Sequence, residues 1–153
     1  MRNLIYISFI FLFSCSGSTY YRENCEIDKS GWSKTKPTEF KVHITKNKQP
    51  YNTYVIVRHN ALYKYNNLWL FINISDPAGN KKTDTVECVL SEPGGKWYGS
   101  GLGDMKTLKL AYRQQVTFPD TGIYTFSIEQ AMREEPLANI IDIGFSLETV
   151  SFK

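Results

Sequence analysis

Leu68-Trp69-Leu70-Phe71-Ile72-Asn73-Ile74 is the stretch that decides the fold. Successive side chains of an extended strand point to opposite faces, so Leu68, Leu70, Ile72 and Ile74 share one face and Trp69 and Phe71 take the other. On a helix the same residues would scatter around the circumference. The two-residue period recurs on both sides of this stretch. Phe40, Val42 and Ile44 alternate with Glu39, Lys41 and His43. Leu108, Leu110, Tyr112, Val116 and Phe118 form a longer series broken at Gln114. Tyr124, Phe126, Ile128, Gln130 and Met132 follow, and Ile141, Ile143, Phe145 and Leu147 close the pattern. Thr53 to Arg58 and Thr83 to Leu90 add β-branched runs.

Turn residues punctuate these runs at Asn47 to Pro50, Asn66-Asn67, Asp76 to Asn80, Pro93-Gly94-Gly95 and Pro119 to Gly122. Strands at short spacing, each apolar on one face, predict an all-β fold: a single antiparallel β-sandwich, jelly-roll-like or Ig-like, over residues 32–153. Pro136 limits Met132 to Asn139 to one helical turn at most. Asp120-Thr121-Gly122-Ile123-Tyr124 has the spacing of a tyrosine corner, in which the Tyr124 hydroxyl returns to nearby backbone and locks a connection.

Composition narrows the function classes. The chain has 153 residues, of which 42% are apolar and 22% charged, enough for one domain with a real core and too apolar for a disordered tail. Eighteen basic against fifteen acidic side chains leave it only mildly positive, with no basic cluster longer than Lys81-Lys82, so no nucleic-acid partner is expected.

The N-terminus reads as an address. Arg2 precedes a run from Leu4 to Phe13 interrupted only by Ser8, and Leu12-Phe13-Ser14-Cys15 follows. At about 1.5 Å per residue, ten helical residues cover only about half of a hydrocarbon core of about 30 Å, too little for a permanent span. Small Ser14 directly before Cys15 resembles the lipobox of bacterial lipoproteins, in which the cysteine thiol is acylated and the preceding peptide bond is cut. The expected organisation is a cleaved lipoprotein signal over residues 1–14, a lipidated N-terminus and tether over 15–31, and the domain from 32 onward. Two or three acyl chains on Cys15 would hold the protein stably to a membrane.

Export places Cys25 and Cys88 in an oxidising compartment, where they either form a disulfide or remain two separate buried thiols. Neither has a close Cys or His neighbour in sequence, so no metal is expected, and no cofactor is implied. The glycine-rich Gly99-Ser100-Gly101-Leu102-Gly103 leads into a strand and not a helix, which removes a dinucleotide-type phosphate site. His43 and His59 lack an identifiable nucleophile or orienting acid, and Asp76, Asp84, Asp104, Asp120 and Asp142 mostly border turns, where carboxylates fix bends. The expectation is a protein that is not an enzyme. Aromatic rings leave one alternative, a lipid-anchored carbohydrate-binding module. Tyr51, Tyr54, Tyr63, Tyr65, Trp69, Trp97 and Tyr98 are the candidates for stacking on a sugar; Tyr63, Tyr65, Trp97 and Tyr98 would make the site in that alternative, with Tyr63 and Tyr65 expected to be exposed in their polar stretch.

Several blocks taken together resemble the GldH family of gliding-motility lipoproteins. They are the segment ending at Cys15, Asn67 to Phe71, Asp76 to Gly79, Thr83 to Glu87, Pro93 to Gly101, Phe118-Pro119 through Tyr124, Gln130-Ala131-Met132-Arg133 and Ile141 to Phe145. The glycine-tryptophan block and Gln130 to Arg133 are the most distinctive. The resemblance implies an outer-membrane lipoprotein of Bacteroidetes that is needed for gliding in motile members. It also implies no assigned enzymatic activity, and the role expected of the chain is a non-catalytic subunit of an envelope machine for gliding or for linked protein secretion, with other envelope proteins as partners. Ser16-Gly17-Ser18-Thr19 lacks the acidic cluster that resembles a surface-export signal in this phylum, which implies a periplasm-facing position.

Overall fold

The structure is a computed structural model that describes residues 18–150. The signal segment and Cys15 lie outside the described residues. Eight strands form: β1 Thr19–Glu26, β2 Thr38–Ile44, β3 Tyr51–Asn60, β4 Asn67–Ser75, β5 Lys81–Val89, β6 Met105–Val116, β7 Gly122–Gln130 and β8 Ile140–Thr149. No helix occurs among the described residues, so Met132 to Asn139 passes through bends and turns only.

The strands build two four-stranded sheets, ordered β1-β8-β3-β6 and β2-β7-β4-β5, and every pairing is antiparallel. Only β4 and β5 are joined as a hairpin within one sheet, and every other connection crosses to the opposite sheet. Eight strands in two sheets with these crossings make a jelly roll, and the Ig-like alternative is set aside.

The two-residue period fixes which face turns inward. Phe40, Val42 and Ile44 on β2, Leu68, Leu70 and Ile72 on β4, and Tyr124, Phe126 and Ile128 on β7 are buried against Val55 and Val57 of β3 and Ile143, Phe145 and Leu147 of β8. Phe126 and Phe145 stack across the two sheets with centroids 4.3 Å apart. Each such side chain contributes about 1.5–3 kcal/mol by leaving water. Between Arg58 and His59 the register with β8 shifts, so Ile140 and not Ile141 is the buried residue at that end.

The largest departure from the sequence reading is β1. The segment expected to be part of a tether pairs with β8 from Thr19 to Glu26, so the folded body begins well before Trp32. As an edge strand it buries little apolar surface, and Tyr21, Glu23 and Cys25 alternate with Arg22, Asn24 and Glu26 without an apolar face.

Candidate functional site

The sandwich has two distinct ends. At one end β1 starts, and the β2–β3, β4–β5 and β6–β7 connections gather around it. Tyr20 donates its hydroxyl to the His43 carbonyl at 2.7 Å, Asn47 donates to the Pro119 carbonyl at 3.1 Å, and the Tyr51 and Phe118 rings meet edge-on at 5.7 Å. Tyr124 donates its hydroxyl to the Asp120 carbonyl at 3.3 Å, the bond expected of a tyrosine corner. The sequence puts Cys15 four residues before Thr19, which ties this end to the proposed anchor.

The opposite end holds most of the candidate binding residues, but not in the arrangement the sequence suggests. Tyr63 is only 4% exposed, a correction to its expected exposure: its hydroxyl donates to the Asn67 carbonyl at 3.0 Å, which folds the loop inward over the core. Tyr65 is half-buried, meets Tyr63 edge-on at 5.6 Å and donates to a Glu134 carboxylate at 2.9 Å. Trp97 is half-buried with its ring 4.5 Å from that of His59, and only Tyr98, 52% exposed, stands open. Four rings of which three pack on one another or on the core make no coplanar platform for a sugar.

His59 sits at the centre of this cluster, fully buried, with Nδ1–H donating to the Asn60 carbonyl at 2.9 Å. Burial holds its imidazole below the usual histidine range, so the ring is a neutral packing element. Gly99 and Gly101 let the preceding loop lie directly against β6: a Cβ on Gly101 would stand 2.1 Å from the Met105 carbonyl oxygen, and one on Gly99 2.9 Å from that of Thr107. The glycine run serves close backbone approach.

Gln130, which carries no chemistry in the sequence reading beyond its place in the alternation, organises the neighbouring loop. It is buried, its Nε2 donates to the Glu134 carbonyl and to Glu135 Oε2, both at 3.0 Å, and its Oε1 accepts the Met132 N–H at 2.8 Å. Glu135 in turn accepts the Ser33 hydroxyl at 2.5 Å and the Lys34 N–H at 3.0 Å, which hold its carboxyl below the ordinary glutamate range. The β1–β2 and β7–β8 connections are thereby tied together.

The loop so fixed forms one wall of a groove of about 350 Å³ on the outer face of the second sheet, lined by Tyr65, Asn67, Trp69, Ala131, Met132 and Arg133. Ala131 donates to the Trp69 carbonyl at 2.8 Å, which carries the β4–β7 pairing one step past the end of β7. Trp69 and Phe71 are each 39% exposed on this face, with Val89 diagonally across from Trp69 and also exposed. Their outward direction follows from the period-2 pattern. The sequence gives no signal for the groove itself, because its other wall comes from a loop sixty residues away in the chain.

Of the two alternatives the sequence leaves open for Cys25 and Cys88, the structure has the separate thiols, Cys88 buried and Cys25 half-buried. Cys25 lies on β1, the strand flanking β2, while Cys88 lies on β5, whose Asp84 contacts Tyr112 and Arg113 of β6 on the opposite flank of the sandwich. Burial pushes the Cys88 thiol up to about 12, so it is inert at neutral pH. Asp142 is likewise no turn residue. It stands in mid-strand on β8, 1% exposed, accepting from Asn24 Nδ2 at 3.0 Å and ion-paired with Arg58.

A larger hollow of about 580 Å³ under the β1–β2 connection is lined by Cys25, Glu26, Asp28, Trp32 and Lys36 among others, without a nucleophile held by a base. No group of three or more His, Cys, Asp or Glu side chains among the described residues is placed to hold a metal ion.

Comparison with known proteins agrees with the sequence resemblance. The family described as GldH lipoprotein matches residues 19–147. A protein of Christiangramia forsetii named gliding motility lipoprotein GldH homolog is 36% identical over 94% of this chain and 93% of its own length. One of Flavobacterium johnsoniae named gliding motility lipoprotein GldH is 34% identical over 95% of this chain and 94% of its own. No solved structure matches.

Proposed function

Because the chain belongs to the GldH lipoprotein family, we propose that it is a lipid-anchored, non-catalytic component of the gliding-motility machinery. The observation that carries this reading is the match with two relatives named for gliding motility along nearly the whole of each chain. In this reading residues 1–14 are removed, the Cys15 thiol carries acyl chains, and the jelly roll faces the periplasm from the outer membrane, with protein secretion linked to its task. The open outer face around Trp69, Phe71 and Val89 supplies contact with another envelope protein, since apolar side chains grouped on one sheet face gain most by being covered.

The test is a deletion strain complemented with the wild type or with Cys15→Ala, scored for envelope fractionation, spreading motility and secretion. The wild type is expected in the outer-membrane fraction and to restore motility, with Cys15→Ala unprocessed and inactive. A Cys15→Ala protein that is still cut after Ser14 and still restores motility overturns the reading.

A further inference from the structure

We propose that the end of the sandwich where β1 begins docks on anionic lipid headgroups through Lys46, Lys48, Lys81 and Lys82, which fixes the orientation of the domain on the bilayer that holds its acyl chains. The inference rests on acylation at Cys15 and adds a second, non-covalent contact. Two observations carry it.

The first is reach. Thr19 is already in the sheet, and four residues from Cys15 to Thr19 extend at most about 14 Å. A lipid attached at Cys15 therefore keeps the β1 end of the domain close to the headgroups, and the loops gathered at that end share the position. The Tyr20 to His43 hydrogen bond ties β1 to β2, the Asn47 to Pro119 bond joins the β2–β3 and β6–β7 connections, and a Cβ on Gly122 would stand 2.9 Å from Pro77 of the β4–β5 turn, so the three connections lie against one another.

The second is charge. Lys46 and Lys48 occupy the β2–β3 connection, and Lys81 and Lys82 open β5 directly after the β4–β5 turn; all four are exposed. Lys82 makes only a loose 3.8 Å pair with Asp84, and Lys46, Lys48 and Lys81 have no ion pair among the described residues. Acids share this end, but most are engaged: Asp84 is held by Tyr112 and Arg113. Asp76 turns its carboxylate onto Asn80, accepting its N–H at 2.8 Å and its side-chain amide at 2.7 Å, Asp120 lies on the β6–β7 connection, and Glu148 is taken by Lys109. At the other end Lys64 pairs with Glu134 at 3.6 Å and Lys96 with Glu92 at 4.0 Å, but Lys29, Lys34 and Lys36 on the β1–β2 connection have no ion pair among the described residues, so it is reach that singles out the β1 end and the lysines there that it brings to the lipid. Unpaired ammonium groups held within about a Debye length of a negative surface, about 8 Å at physiological salt, are drawn to it.

With the lysines on the headgroups, the groove beside Trp69 opens at the end away from the bilayer, because β4 runs from Asn67 at that end to Ser75 at the lipid end. The test uses the acylated full chain in vesicles of neutral phosphatidylcholine, alone or with phosphatidylglycerol, and reads amine labelling at each lysine by mass spectrometry. Lys46, Lys48, Lys81 and Lys82 are expected to label at least about threefold more slowly on the anionic vesicles than on neutral ones, with the protection lost at about 1 M salt, where charges are screened beyond about 3 Å. Lys34, Lys64 and Lys96 are expected to label equally on both. Equal labelling of the two sets, or protection indifferent to lipid charge and salt, overturns the proposal while leaving acylation intact. A spectrum in which the Cys15 peptide carries no acyl group breaks the attachment itself, and the docking with it.

Discussion

On the outer face of the β1-β8-β3-β6 sheet, Ile56 and Asp142 are each 1% exposed, whereas on the outer face of the β2-β7-β4-β5 sheet Trp69 and Phe71 each keep 39% of their surface open. Both faces would be solvated in a simple sandwich. The first closes itself: Gly144, registered opposite Ile56, has no Cβ, and a Cβ there would come within 2.8 Å of Asn24 Oδ1, so Asn24 occupies the space and reaches Asp142. Arg58 covers the carboxylate from the side, and Lys109, registered opposite Ile56, lays its ammonium 3.9 Å from the centre of the Tyr54 ring. The second face has Asn67 bound to Glu87 at 2.6 Å and Asn73 bound to Glu129 at 2.7 Å on either side of the two rings, which stay partly open. One face spends its side chains on stability, and the other keeps apolar surface open to solvent.

Substitutions separate the two. Ile56→Ala, although on an outer face, is expected to destabilise by about 2–4 kcal/mol, the loss typical of a core aliphatic; a urea midpoint shift worth less than about 1 kcal/mol breaks the idea that this face behaves as a second core. Asp142→Ala, which leaves Asn24 and Arg58 without their acceptor, is expected to cost about 2 kcal/mol, checked by the same unfolding curve.

The flank between the faces sharpens the contrast through pH. Desolvation pushes the Asp84 carboxyl up, but hydrogen bonds from Tyr112 and Arg113 and the charges of Arg113 and Lys82 outweigh it and hold the group below its usual range. Its contribution is therefore present above the unfolded value of about 3.9 and is lost as pH falls through the lower folded value. Because the group is partly exposed, the effect is at most about 1 kcal/mol. The difference in thermal midpoint between wild type and Asp84→Asn should shrink steadily below about pH 4. Trp69→Ala and Phe71→Ala are expected to move stability least, by under about 1 kcal/mol, while reducing motility and the recovery of envelope partners on co-purification. A large loss of stability in either would make these rings structural.

The strands with a clean apolar alternation were legible in the sequence because each buries a single face; β2, β4, β7 and β8 are cases in point. β1 was not, because an edge strand pairs through its backbone and Thr-Tyr-Tyr-Arg-Glu-Asn-Cys-Glu shows no periodic apolar face. Tyr63 misled for the opposite reason: its neighbours Lys64, Asn66 and Asn67 are polar, yet a single hydrogen bond to backbone turns its ring inward. The outward direction of Trp69 could be read from the period, but the groove beside it depends on how Gln130 folds the following loop, which is a tertiary matter. Asp142 is invisible for the same reason, since Asn24, its partner, is 118 residues away.

The position of β1 has a mechanical consequence. It is held to β8 at seven registered positions from Thr19 to Glu26, and the hydrogen bonds of an antiparallel ladder run across the strands. A tug entering at Thr19 and resisted near the far end of the barrel-like body acts along the strand, so these cross-links bear the load in shear, together and not one by one as in peeling. In the proposed lipid-anchored reading, a joint of this kind suits a part that must stay attached while force is passed through it.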